Sequence, residues 1–498
     1  MTDVSNWPFD SVLVANRGEI AVRVLRTVQS LGLKGLVVYH AADANTPAVR
    51  LADEAIEITG DTPVAAYLDA AQILEKAKGA GAGAIHPGYG FLSENAGFCR
   101  AVEAAGIVFV GPTPEQIELM GDKVRARAFV EKAGFPVAPS AIEDDDPATF
   151  VERAKLVPFP VLIKPAAGGG GKGMRIVRDP KHLETEIERA RSEGERYFGD
   201  GRLYVECYIE NPRHIEVQVL GDTHGNVVHV WERECSVQRR FQKIIEESPS
   251  PALTADERNE ICETAAGIAR SAGYRNAGTV EFIYGKSGSE SQFYFLETNT
   301  RLQVEHPVTE EVTGKDLVLE QLRIAAGEPL GYTQQDITTT GHAIEFRIYA
   351  EDAASGFTPT TGPVLRFIPP ADTRLDAGIV EGGAVTAAFD PMLAKLIVKG
   401  TDRTDALQKG DAALRDLVLL GCKTNTGFLR RLLNHDAFQS GDVHTGFVDA
   451  HPEIAAEPSL DPATTSKLLA AAAMSTRPMK DVADTTPALH ARMGSWSN

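Results

Sequence analysis

Along the first hundred residues, short apolar runs alternate with stretches whose apolar positions recur every three or four residues. SVLVA (11–15) reads as a buried strand. Ile20, Val24, Val28 and Leu31 then follow at spacings of four, four and three, which lines one face of a helix. GLVVYH (35–40) is strand again, AGAIHPG (82–88) runs from strand into turn, NAGFCRAVEAAG (95–106) is helix and IVFVG (107–111) is strand. This alternation predicts a largely parallel sheet covered by helices. Thr113, Pro114 and Gln116 supply the cap, the first-turn proline and the box residue of a further helix, and a first domain boundary falls at 121.

Beyond it the rhythm changes. A helix is predicted at 122–133, an acidic then helical stretch at 141–157, and a strand at 157–166. After a glycine run, a return strand at 174–179 closes a hairpin; a charged helix (181–196) and a strand (203–210) follow. HIEVQVLGD (214–222), NVVHVWERE (226–234), GTVEFIYG (278–285) and QFYFLETN (292–299) alternate apolar and polar positions with turns between, which predicts antiparallel pairing. Thr254 and Glu257 form a second capping box, and 311–328 reads as one helix. From 341, strands at 342–351, 361–368, 378–386 and 392–400 predict a small β-rich module. Helices at 404–420 and 425–437 follow it, then a tail from 450 with a short helix near 464–473.

Composition narrows the classes. The chain has 498 residues and a formal net charge of −19, which argues against a broad nucleic-acid surface but leaves room for a local basic pocket. Cys99, Cys207, Cys235, Cys262 and Cys422 are scattered, without metal spacing or a disulfide framework, as expected of a reducing cytoplasm. The first residues lack the features of a signal peptide, and no apolar run approaches the length of a membrane span. A cytoplasmic protein free of membrane and nucleic acid is the expectation.

Four local patterns bear on chemistry. After Lys164, Gly168, Gly169, Gly170, Gly171, Lys172 and Gly173 expose a run of backbone N–H groups that can wrap phosphate oxygens. The run lacks the hydroxyl residue of a Walker A loop, and a flexible surface loop is the alternative. Phe293, Phe295 and Glu297 are placed on one face of a strand, with Glu281 in the strand before. In a hairpin both carboxylates reach one cleft, where they and Asn299 offer hard oxygen ligands for Mg²⁺, the alternative being solvated carboxylates. Arg301, Gln303 and Glu305 alternate directly afterwards and offer an anion fork and a general base; surface ion pairs are the alternative. Arg239, Arg240 and Lys243 form a basic cluster that reads as an anion site or a salt-bridged turn. Lys123 opens a helix from which it can reach a nucleotide. His86, His214, His306 and His342 lack ligand spacing, and no G-x-S-x-G nucleophile motif is present.

Taken in order, VANRGEIAVRV, HPGYGFLSEN, LMGDK, IKPAAGGGGKGM, YIENPRHIEVQV, ERECSVQRR, ETNTRLQVEHPVTE and FDPMLAKLIVKG resemble the biotin carboxylase component of biotin-dependent carboxylases, over about residues 10–450. The resemblance implies an α/β and α+β fold. An N-terminal α/β domain (1–121) precedes an ATP-grasp domain (122–340) whose mobile lid spans about 138–210. A C-terminal β-rich domain (341–450) and a flexible tail (451–498) complete it. It implies ATP, Mg²⁺ or Mn²⁺, and biotin as carrier-bound substrate. Lys123, Lys164, Gly168–Gly171, Gly173, Met174, Glu206, His214 and Gln238 would contact the nucleotide, and Glu281, Glu297 and Asn299 the metal. Lys243, Arg301, Gln303, Val304 and Glu305 would hold bicarbonate, with Glu305 as base, and Arg347 would stabilise the biotin enolate. Arg23 and Tyr89 lie on stretches linked to the carboxybiotin or dimer side. Phe241, Tyr349, Phe389 and Cys207 depart from the family pattern.

No carrier domain is recognisable, since Pro478-Met479-Lys480 lacks a surrounding strand pattern. The implied partners are therefore a separate biotin carboxyl carrier protein, a carboxyltransferase subunit of an acyl-CoA or 2-oxo acid carboxylase, and a second copy of the chain. The competing readings are another ATP-grasp carbon–nitrogen ligase and a non-catalytic nucleotide-binding subunit. Gln303, Glu305 and Arg347 favour the carboxylase, and the intact acidic pair argues against a non-catalytic role.

Overall fold

The computed structural model describes residues 3–143, 146–165, 174–198, 201–287, 290–457 and 461–475. The glycine run at 166–173 lies outside them, so the expectations for Gly168, Gly169, Gly170, Gly171, Lys172 and Gly173 rest on sequence alone.

The N-terminal alternation builds a parallel sheet of β1 (Ser11–Val14), β2 (Lys34–Tyr39), β3 (Glu54–Glu57), β4 (Ala84–His86) and β5 (Val108–Phe109), in the order β3-β2-β1-β4-β5. β3 went unforeseen because EAIE carries too little apolar signal. The chain leaves β1 toward one edge and β4 toward the other, so a crevice opens beyond their carboxyl ends. The helix Gly18–Ser30 starts at the end of β1 and delivers Glu19; the turn after β4 delivers Tyr89, whose hydroxyl donates to Glu19. Thr113 and Gln116 form the expected capping box.

A second sheet, β6 (Ser140–Ile142), β7 (Val161–Pro165), β8 (Arg175–Val177) and β9 (Leu203–Cys207), has the order β6-β9-β7-β8. β7 and β8 pair antiparallel around the glycine run, as expected.

The central sheet is antiparallel. It contains β10 (Arg213–Gly221), β11 (Val227–Arg239), β12 (Gln242–Ser248), β13 (Asn276–Ser287), β14 (Glu290–Asn299) and β15 (His342–Tyr349). The short segments β16 (Glu351–Asp352), β17 (Thr358–Pro359), β18 (Gly362–Pro363) and β19 (Arg366–Ile368) follow, then β20 (Arg374–Ala377), β21 (Ala384–Val385), β22 (Met392–Gly400) and β23 (Val418–Leu420). The order β14-β13-β10-β11-β12-β15-β22-β20 joins β15, β22 and β20, all beyond residue 341, to the strands before it, while β16–β17, β18–β21 and β19–β23 pair as separate two-stranded sheets. β12 was not foreseen, because QKIIEES shows no clean alternation.

Strand alternation divides this sheet into two faces. Ile215, Val217, Val219, Val280, Phe282 and Phe295 pack on the helix Ala255–Ser271. Ile344, Phe346, Leu396 and Val398 join the core formed with the helices Arg403–Asp416 and Thr426–Leu433. The intervening positions place Glu216 opposite Glu281 and Arg233, Glu246 opposite Glu345, and Arg347 opposite Lys395. The helix His306–Thr313 packs against β11, β12, β15 and β22 on this charged side, where Thr309 accepts from Arg233 at 3.0 Å.

Two expectations are corrected. The helix read at 311–328 is two helices, His306–Thr313 and Leu317–Ala325. Gly314 takes a left-handed φ of 70°, and Asp316 caps the second helix by accepting from the Leu319 N–H. Phe295 and Glu297 do not share a face. Glu281 pairs with Glu297 and Phe282 with Phe295, so Leu296 is the extra residue of a β-bulge, and Phe295 turns into the core while Glu297 turns toward Glu281.

Candidate active site

Glu305 is the centre of the charged face. It stands immediately before the helix His306–Thr313 and is 1% exposed. Its Oε1 accepts from Lys243 Nζ at 2.6 Å and its Oε2 from Arg347 Nη2 at 3.0 Å. Lys243 also donates to Glu216 at 2.5 Å and to Glu281 at 3.0 Å, so one ammonium joins three carboxylates. Arg347 donates through Nε to Glu246 at 2.6 Å. Burial by itself would raise the Glu305 carboxyl, but Lys243, Arg347 and Arg233 outweigh it and hold the group ionised well below the usual carboxylate range. Burial also opposes ionisation of Glu281, where Lys243 and His214 prevail and lower it. At Glu246 burial wins over Arg347 and pushes the carboxyl up to about 7.

Glu281 and Glu297 meet directly across the β13–β14 ladder. Lys123, first residue of the helix Lys123–Lys132, reaches Glu297 at 2.7 Å. Asn299 Nδ2 and Gln303 Nε2 donate to Glu281 Oε1 at 2.9 and 3.3 Å, and His214 Nε2 lies 3.0 Å from its other oxygen. Two adjacent carboxylates with an amide beside them are the hard-oxygen donor set that suits Mg²⁺. The Asn299 side-chain oxygen accepts from Arg301 at 3.1 Å.

Residues 301–305 are brought together as predicted, though in a loop and not by strand alternation. Arg301 donates to Gln303 at 2.8 Å and to Glu94 at 2.9 Å. The Val304 carbonyl accepts from the fully buried Lys395 at 2.7 Å, and Lys395 lies 3.3 Å from Glu19, which joins the N-terminal crevice to this face. Gln238 contacts His214 at 2.9 Å. The remaining nucleotide-side residues lie on the second sheet, where Lys164 pairs with Glu206 and Met174 is exposed just before β8. Arg23 bridges Glu310 and Asp316, at 2.7 and 2.8 Å.

The basic cluster at 239–243 separates. Arg239 pairs with Glu351 at 2.9 Å and lies over the Phe357 ring at 4.2 Å, while Lys243 alone enters the acidic cluster. Arg240 and Phe241 form the two-residue turn between β11 and β12, both at positive φ (49° and 67°), and Phe241 is 78% exposed. Of the other departures, Tyr349 is buried, Phe389 stacks under Arg17 at 3.7 Å, and Cys207 ends β9.

Sequence reasoning did not single out Glu94, Glu216, Arg233, Glu246 or Asn425. Arg233 is 0% exposed and donates to Glu216 at 2.6 Å and to Gln218, Thr279 and Thr309 at 3.0–3.1 Å. Asn425 accepts from the Tyr349 N–H and donates to the Arg347 carbonyl, both at 2.9 Å. Glu94, Glu216 and Arg233 lie inside HPGYGFLSEN, YIENPRHIEVQV and ERECSVQRR, so a signal existed. Asn425 stands 78 residues beyond Arg347 and gave none.

Family models match most of the chain. Residues 8–117 match the biotin carboxylase N-terminal domain, 122–333 the ATP-binding domain of the carbamoyl-phosphate synthase L chain, and 345–450 the biotin carboxylase C-terminal domain. The chain is 49% identical over 452 residues to biotin carboxylase of Halalkalibacterium halodurans, covering 90% of this chain and 98% of that one. It is 46% identical over 446 residues to a pyruvate carboxylase subunit of Methanothermobacter thermautotrophicus, covering 89% and 90%. Among solved structures, the biotin carboxylase domain dimer of Hydrogenobacter thermophilus 2-oxoglutarate carboxylase, in complex with MgADP, ADP and bicarbonate, matches with a TM-score of 0.82 and 43% identity over 91% of this chain and 99% of that one. With all three domain matches in order along the chain, and near-half identity across almost the whole of a relative, the chain belongs to the biotin carboxylase family.

Proposed function

We propose that this protein carboxylates biotin, using ATP and bicarbonate, by way of carboxyphosphate. The observation that carries the reading is the junction of Lys243 and Arg347 on one buried carboxylate, Glu305, beside the Glu281–Glu297 pair. Bicarbonate bound beside Arg301 draws Lys243 toward its own charge. Glu305 then loses part of the field that keeps its proton affinity low, and it accepts the bicarbonate proton. The bicarbonate oxygen forms a bond to the γ-phosphorus as the bond to the β-γ bridging oxygen breaks, and ADP leaves. Lys123, Lys164 and the glycine run steady the phosphates, with Met174, Glu206, His214 and Gln238 toward the rest of the nucleotide. A divalent cation held by Glu281 and Glu297, with Asn299 beside them, would supply screening of the phosphate charge.

Carboxyphosphate breaks down to CO₂ and phosphate. Phosphate takes the N1′ proton of biotin, Arg347 stabilises the enolate oxygen, and the nitrogen captures CO₂. Gln303 and the Val304 backbone shape the anion pocket, and closure of the lid, about 138–210, excludes water. The same reading divides the chain at 121, 340 and 450. It places the protein in the cytoplasm as a homodimer that receives biotin from a carboxyl carrier protein and passes the carboxyl group to a carboxyltransferase of an acyl-CoA or 2-oxo acid carboxylase. Among the described residues no helix is long and apolar enough to cross a membrane.

The test is transfer of label from radioactive bicarbonate to free biotin. Label on biotin that requires both ATP and Mg²⁺ supports the proposal; ATP consumption with no label on biotin refutes it.

A further inference from the structure

We propose that His435, His451 and Glu453 form a second metal site, for a transition-metal dication such as Zn²⁺, which ties the turn Pro452–Ala455 to the short helices Asp436–Gln439 and Phe447–Ala450. The three lie away from the charged face of the central sheet. His435 precedes the short helix Asp436–Gln439, His451 follows the helix Phe447–Ala450, and Glu453 sits in the next turn. Their ligand atoms lie within 4.8 Å of one another.

The distances favour a shared ion over a direct pair. His435 Nε2 is 3.6 Å and His451 Nδ1 is 3.3 Å from the same oxygen, Glu453 Oε1. Charge-assisted hydrogen bonds are shorter, about 2.7–2.9 Å. Donors bound at about 2.0–2.1 Å around a tetrahedral ion stand about 3.3 Å apart. The donor set of two imidazoles and one carboxylate suits Zn²⁺ and leaves a fourth position for water, whereas Mg²⁺ prefers oxygen alone.

The surroundings hold the ligands in place. The buried Phe447 ring packs against both imidazoles, with centroids 5.7 Å from His435 and 4.8 Å from His451. Arg431 donates to the Ile454 carbonyl at 2.7 Å and so fixes the turn bearing Glu453. Both imidazoles are half-buried and Glu453 is 64% exposed, so an ion enters without unfolding. Binding at His435 Nε2 moves the ring proton to Nδ1 and displaces one weak contact, the 3.3 Å acceptance from the Ala437 N–H. The other two clusters of this kind among the described residues, His214–Glu216–Glu281 and Glu216–Cys235–Glu305, belong to the charged face already described.

The experiment treats the full-length chain with chelator and titrates it with Zn²⁺ by calorimetry in Mg²⁺-free buffer, with Co²⁺ absorption as a report of ligand geometry. Glu453→Gln and His451→Ala are compared with the parent; the exposed Glu453 can be changed without cost to folding. The expected result is one Zn²⁺ per chain, weakened at least about 10-fold by Glu453→Gln and abolished by His451→Ala. A Zn²⁺-dependent rise in melting temperature is expected in the parent and absent from His451→Ala. Absence of stoichiometric binding, or binding that both variants retain unchanged, overturns the proposal.

Discussion

Glu281 and Glu297 stand directly opposite one another in the β13–β14 ladder, and each is balanced by a different lysine, Lys243 at 3.0 Å and Lys123 at 2.7 Å. Like charges at facing ladder positions are unfavourable. Here they persist because the bulge at Leu296 aligns them and cations from two other elements meet them. The electrostatic cost lies in the fold, and its use lies in the proposed chemistry.

Arg233 decides whether the charged face can exist. Fully buried, it compensates Glu216 while Lys243 is shared among three carboxylates. Arg233→Met leaves Glu216 short of one counter-charge. The expected loss is about 3–5 kcal/mol of stability, the usual cost of breaking a buried pair. Chemical denaturation checks it; a loss below about 1 kcal/mol contradicts the assigned role.

Asn425 is a positioning residue for Arg347, because it holds the Arg347 carbonyl and the Tyr349 N–H just beyond it. Asn425→Ala is expected to cost about 1–3 kcal/mol through two buried backbone groups left unpaired. It should also lower the biotin-dependent rate severalfold and biotin-independent ADP release less, since Arg347 also donates to Glu305. Equal loss in both rates would show damage that does not pass through Arg347.

Glu246 gives a pH signature. Its carboxyl is pushed up from 4.5 to about 7 by burial, against the pull of Arg347. The folded state therefore binds this proton more tightly than the unfolded chain. The resulting stability is full below about pH 4.5 and is lost as pH rises through about 7. Glu281 and Glu305 shift downward, so their contributions disappear only in acid. Melting temperature measured from about pH 5 to 8 should fall for the parent relative to Glu246→Gln, which cannot ionise. Parallel curves for the two proteins contradict this.

The strands that carry the site were legible because polar and apolar residues alternate through HIEVQV and TVEF at their starts. The Leu296 bulge was not, since an inserted residue changes register without changing composition. The break at Gly314 was written in the sequence as a glycine followed by a capping Asp316, and a longer apolar periodicity hid it. Of the site, Glu305, Lys243, Arg347 and the facing glutamates could be named from motifs. Burial of a charge such as Arg233, and the clamp from Asn425, come from contacts between distant segments that no local pattern encodes.

The most direct test of the central claim is ADP release measured with and without bicarbonate and free biotin, on the parent and on Glu305→Gln. The account predicts release that depends on bicarbonate, rises with biotin, and falls by about 10²-fold or more when Glu305 can no longer accept a proton. Release indifferent to bicarbonate, to biotin and to the substitution would contradict it.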